Sequence, residues 1–107
     1  MNLRLSEHSL RWRVSRAEVD VLLSGRAAKL LLALPRAHSF QVVVRMSAIQ
    51  GWQLDSDPTG LWLTIPRAEL QALADSLPTK EPIEHTLDIE GHELKLSFEV
   101  DVREKKR

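Results

Sequence analysis

The sequence predicts an α+β fold: two strand-strand-helix-strand-strand halves with pseudo-two-fold symmetry, forming an antiparallel sheet or partial barrel. Three observations predict it. Segments of alternating apolar residues recur along the 107 residues, two short stretches carry helical spacing behind helix-start signals, and residues 10–19 are echoed at 61–70.

The elements follow in order. Leu3 and Leu5 flank Arg4. After the polar turn Ser6-Glu7-His8-Ser9, Leu10, Trp12 and Val14 alternate with Arg11 and Arg13, which reads as a hairpin with one apolar face. Ser15-Arg16-Ala17-Glu18 is a capping box: the Ser15 hydroxyl accepts from the Glu18 N–H, and the Glu18 carboxylate accepts from the Ser15 N–H. Val19, Leu22 and Leu23 continue as a helix that Gly25 stops in the left-handed region. Residues 29–34 and 40–46 read as strands joined by Pro35-Arg36-Ala37-His38-Ser39. A weaker strand is expected at 49–54, before an acidic turn at 55–60. Leu61, Leu63 and Ile65 alternate with Trp62 and Thr64. Pro66 fits the first position of a second helix, whose apolar stripe is Leu70, Leu73 and Ala74. Beyond a loop bracketed by Pro78 and Pro82, Leu87 and Ile89, then Leu94 to Val102, form a final hairpin around Glu90-Gly91-His92-Glu93. Residues 1–102 make a single domain, and 103–107 form a charged tail with no apolar anchor, expected to be disordered.

The repeat sets Leu10-Arg11-Trp12-Arg13-Val14-Ser15-Arg16-Ala17-Glu18-Val19 over Leu61-Trp62-Leu63-Thr64-Ile65-Pro66-Arg67-Ala68-Glu69-Leu70. Leu, Arg, Ala and Glu coincide at four positions, and Leu22 over Leu73 extends the match. One helix cannot cover a one-sided four-stranded sheet, so two such units bury more apolar surface together than apart. Two units point to a pseudo-two-fold pair rather than a solenoid.

The segments Leu3-Arg4-Leu5, Ser9-Leu10-Arg11-Trp12-Arg13-Val14, Ser15-Arg16-Ala17-Glu18-Val19 and Gly60-Leu61-Trp62-Leu63-Thr64-Ile65-Pro66 cover about a third of the chain. They resemble a family of small bacterial proteins known only as a domain of unknown function. The resemblance implies that family's fold and a bacterial source. It implies no activity and no functional residue.

Composition narrows the function classes. With no cysteine, disulfides, thiolate metal sites and a cysteine nucleophile are excluded. The longest apolar run is Leu30-Leu31-Leu32-Ala33-Leu34, far from the roughly 20 residues of a membrane-spanning helix, and a cytoplasmic protein with no membrane partner is expected. Net charge is zero but unevenly placed: residues 1–50 hold eight Lys/Arg against three acids, a net +5 that the remainder cancels. Such a split fits an anion-binding face or a head-to-tail or two-fold contact between copies; the bland alternative is that both signs mix on one folded surface. Neutrality overall argues against nucleic acid, whose binding rests on phosphate neutralisation.

No catalytic signature is present: no phosphate loop, no His-Glu-x-x-His and no nucleophile elbow. The four histidines lack metal-ligand spacing, so no metal and no cofactor is expected; His85 is expected to share a strand's apolar face, and His8, His38 and His92 fall in turns. Asp55 and Asp57 lack the downstream Glu and spacing of a calcium loop. Trp12, Trp52, Phe40 and Phe98 read as core.

The candidate binding residues are Arg4, Arg11, Arg13 and Trp62. If Leu10, Trp12 and Val14 face inward, Arg11 and Arg13 face outward, and Arg4 projects to the same side. Three guanidinium groups on one face suit carboxylate or phosphate, and Trp62, equivalent to Arg11 in the repeat, suits ring stacking. The bland alternative pairs these arginines with acids such as Glu99 and Asp101 on neighbouring strands and packs Trp62 beneath the helices. The leading expectation is a non-enzymatic binding or interaction module, acting on an acidic protein partner or on another copy of itself. The second is a small enzyme or ligand-binding protein with a pocket between the halves, using His85 or the arginines.

Overall fold

Period-two alternation and two helix-start signals resolve into eight strands and two helices in the computed structural model, which describes residues 1–102. In chain order these are β1 (Asn2–Leu5), β2 (Ser9–Val14), α1 (Arg16–Leu23), β3 (Ala28–Leu34), β4 (His38–Ser47), β5 (Gln53–Asp57), β6 (Gly60–Pro66), α2 (Arg67–Asp75), β7 (Ile83–Ile89) and β8 (His92–Val100). The class is α+β, as the sequence predicts. The expected tail at 103–107 lies outside the described residues.

The strands form two open four-stranded sheets, ordered β1-β2-β8-β7 and β3-β4-β6-β5, rather than one continuous sheet. Antiparallel pairing holds for β1–β2, β7–β8, β3–β4 and β5–β6. The central pairs β2–β8 and β4–β6 are parallel, because each joins strands from different halves. Every sheet therefore takes one hairpin from each half. Exchanging β1 with β5, β2 with β6, β3 with β7 and β4 with β8 converts one strand order into the other. The side-chain register follows the same exchange: Trp12 faces Phe98 in one central pair, and Leu63 faces Val44 in the other.

The inner faces and both helices share one core. Trp12, Phe98, Leu22, Leu63, Ile65 and Leu70 are fully buried in it, while Phe40 and Trp52 pack partly buried against it. The Ser15–Glu18 capping box forms as read, with both reciprocal hydrogen bonds present. Gly25 lies just beyond the α1 cap with φ +93°, a region glycine enters without strain.

Three local expectations shift. Pro66 closes β6 and serves as the N-cap of α2 rather than its first helical residue, with no side-chain cap bond. The strand expected at 49–54 lies at Gln53–Asp57, so Asp55 and Asp57 belong to a strand and the turn is Pro58-Thr59. There Asp57 accepts from the Thr59 N–H at 2.7 Å and from its hydroxyl at 2.6 Å. These bonds hold the Asp57 carboxyl below its usual range. The last hairpin turns on Glu90 and Gly91 alone, both at positive φ, the geometry that matches strand twist in a two-residue loop.

Candidate functional site

Inward Leu3, Trp12 and Phe98 force the alternate residues of the first sheet outward. Its outer face is then set by register. One row reads Asn2, Arg13, Glu99; the next reads Arg4, Arg11, Ser97, Glu84. Arg4, Arg11 and Arg13 do share this face, as the alternation predicts. The acids beside them are already engaged. Glu99 takes the Arg13 Nε at 2.8 Å, and Glu84 takes Lys95 Nζ at 3.2 Å and the Ser97 hydroxyl at 3.2 Å. The bland alternative thus holds for Arg13. Arg4 and Arg11 stand directly opposite each other, and neither has an ion pair among the described residues.

Like charges directly opposite across a strand pair destabilise a sheet. Here they frame a small recess lined by Asn2, Arg4, Arg11 and Arg13. A larger cavity of about 330 Å³ adjoins it, lined by Arg11, Arg13, Lys80, Glu99, Val100, Asp101 and Val102. Two guanidinium forks on neighbouring strands can each donate two parallel hydrogen bonds to an oxyanion, and Lys80 adds a third cation as a point charge. Lys80 carried no signal in the sequence, where it sits in a loop between two prolines. Asn2 was legible, being two residues before Arg4 on the same face.

Trp62 is not part of this arrangement. It lies half-buried on the outer face of the other sheet, level with Val43 and Asp55, and a Cβ at Gly60 would come within 3.2 Å of its ring. The expectation that it stands beside the arginines is corrected. The exchange of halves that equates Trp62 with Arg11 also carries it to the opposite sheet. Nor is it beneath the helices, which pack on the inner side.

At the start of α1, Glu18 accepts from the Met1 ammonium at 3.1 Å and from the Ser15 N–H at 2.9 Å. Partial burial pushes its carboxyl up, but these hydrogen bonds and the adjacent positive charge outweigh it and leave the pKa lowered.

His85 sits on the inner face of β7, as expected, level with Leu96. Its ring stacks on Trp52 with centroids 5.5 Å apart and planes 1° from parallel, so β7 of one sheet meets the residue just before β5 of the other. Nearby edges of β5 and β7 line an open cavity of about 550 Å³ with Gln53, Leu54, Asp55, Leu87, Asp88, Ile89 and Glu90. His85 does not line it. Among the described residues no group of three or more His, Asp or Glu is placed to hold a metal ion, and no helix is long and apolar enough to cross a membrane.

The geometry names no reaction. A family model, described as a family of unknown function (DUF7009), matches residues 1–104. The chain belongs to this family. The resemblance seen in its strand and capping-box segments thus extends over nearly the whole sequence. No curated protein matches it.

Proposed function

We propose that this family member is a non-enzymatic binding module that captures an anionic group of an acidic protein partner on the outer face of its first sheet. One observation carries the reading: Arg4 and Arg11 are paired opposite each other while the neighbouring acids Glu84 and Glu99 are bonded elsewhere. Such a pair costs stability in the free protein and gains it when an oxyanion sits between the two guanidinium groups. The adjoining cavity, with Lys80 on its rim, supplies room for a side chain carrying that group. Binding here involves no nucleic acid and no membrane. The reading also includes a cytoplasmic, bacterial setting and an origin by duplication, the last supported by the matched strand orders.

The test is a ¹⁵N-resolved NMR titration with a Glu/Asp-rich peptide and, separately, with inorganic phosphate, on wild type and Arg4→Ser/Arg11→Ser. Saturable shifts centred on Arg4, Arg11 and Ser97 in wild type, lost in the variant, are expected. Identical responses in both proteins, or no response in either, refute the reading. A second reading, a small-molecule site at the seam between the two sheets, within the second half rather than between the halves, rests on the 550 Å³ cavity between β5 and β7. A metabolite producing shifts at Leu54 and Leu87 instead would favour it.

A further inference from the structure

We propose that β3 is a self-association edge, through which two copies of this chain pair antiparallel about a two-fold axis at Leu31. β3 ends the order of its sheet, so one side of its backbone has no partner strand among the described residues. Sheet edges are normally blunted by charges, proline or bulges. β3 carries one charge, Lys29, and then Leu30-Leu31-Leu32-Ala33-Leu34. Leu31 is 70% exposed, Leu32 55% and Leu34 41%. They occupy both faces: Leu31 lies level with Gln41 on the outer face, Leu32 with Phe40 on the inner.

The other half supplies a control. β7 holds the equivalent edge of the other sheet and is also seven residues long. Where β3 has Lys29, Leu31 and Ala33, β7 has Glu84, Thr86 and Asp88. One edge is polar and charged along its outer face, while the same edge in the other half is apolar. The fold therefore does not require the leucines.

A second copy fits this edge by its register. Centred on Leu31, antiparallel pairing engages all seven residues: Leu30 meets Leu32, Lys29 meets Ala33 and Ala28 meets Leu34 of the second copy. The single charge faces an alanine, so no like charges oppose. Leu30, Leu32 and Leu34 then run as one apolar stripe across the junction. A two-fold pairing consumes the edge on both copies and closes, giving a dimer rather than a fibre. The three leucines and strand backbone bury roughly 300 Å² per copy, against about 800 Å² for a standard stable interface. The dimer is accordingly weak and concentration-dependent. It is independent of the arginine face, which lies on the other sheet.

Sedimentation velocity from micromolar to millimolar protein tests this. A dimer fraction rising with concentration is expected in wild type. Ala33→Lys, which sets a second cation opposite Lys29 of the other copy, and Leu31→Lys, which faces its own equivalent at the axis, weaken association at least about tenfold. Thr86→Lys on β7 leaves it unchanged. Because the chain has no cysteine, Leu31→Cys gives a clean second readout: mild oxidation yields a crosslinked dimer, and Thr86→Cys does not. Circular dichroism confirms that each variant is folded. A wild type monomeric throughout, a dimer that survives Ala33→Lys, equal crosslinking by both cysteine variants, or a different protein bound along β3 in place of a copy overturns the proposal.

Discussion

Reversing one charge on the arginine face separates its cost from its use. Arg4 and Arg11 are direct cross-strand partners, which places their guanidinium groups about 6 Å apart, given Cβ separations of about 5 Å in such pairs. In water, two like charges at that distance repel by about 0.7 kcal/mol. Arg4→Glu turns repulsion into attraction, a swing of about 1.4 kcal/mol, which screening at physiological salt cuts roughly in half. A domain of this size converts a gain of about 0.7 kcal/mol into a rise of about 3–5 °C in melting temperature. The assay is thermal unfolding by circular dichroism at low and high salt, with and without phosphate. Arg4→Glu is expected to melt higher than wild type at low salt, with the gain shrinking at high salt. Phosphate is expected to raise the melting point of wild type and not of the variant, because only wild type holds the anion in its native state. A variant that melts lower than wild type at low salt, or whose gain ignores salt, refutes the account of this face as an unpaired cationic site.

Four further outcomes follow from the fold. Gly60→Ala places a Cβ against the Gln41 carbonyl oxygen and 2.9 Å from Gln41 Cγ; with backbone in the way, chemical denaturation is expected to show a loss of about 1–3 kcal/mol. Glu18→Gln removes a carboxylate whose folded pKa is lowered. The stability it lends is present above the unfolded value and is lost as pH falls through the folded one, so wild type and variant are expected to differ by about 1 kcal/mol at neutral pH and to converge in acid. Phe98→Ala empties a fully buried site and is expected to cost about 3–5 kcal/mol in urea unfolding. Trp12→Phe also removes an indole N–H that is buried without a partner among the described residues, so its cost stays nearer about 1 kcal/mol.

Much of this architecture is written in short-range pattern. Leu10, Trp12 and Val14 fix the inward face of β2, and that alone sends Arg11 and Arg13 outward. Ser15 and Glu18 mark the first helix by chemistry that needs only four residues. The position of β5 was hidden because Asp55 and Asp57 look like turn residues, whereas they are the outward half of a strand. The repeat offset relating Leu10 to Leu61 carries Asn2–Leu5 onto 53–56 and would have found it. Parallel pairing of β2 with β8 was not legible, since no local signal records which distant strand a hairpin will join. The same gap misplaced Trp62, whose neighbours are decided by sheet assignment and not by alternation.

The shared hairpins also impose an order of assembly. The sheet of β3, β4, β5 and β6 is drawn from one continuous stretch, Ala28 to Pro66. The sheet bearing the arginines closes only when the first and last hairpins meet, as in the Arg13–Glu99 contact 86 residues apart. The halves match in space but not along the growing chain. During synthesis the middle sheet has all its strands while the C-terminal hairpin is still being made. Pairing over so long a separation is intrinsically slow, so the cationic face is complete only after β8 has emerged and docked. A nascent chain thus offers the β3 edge before it offers the arginine site.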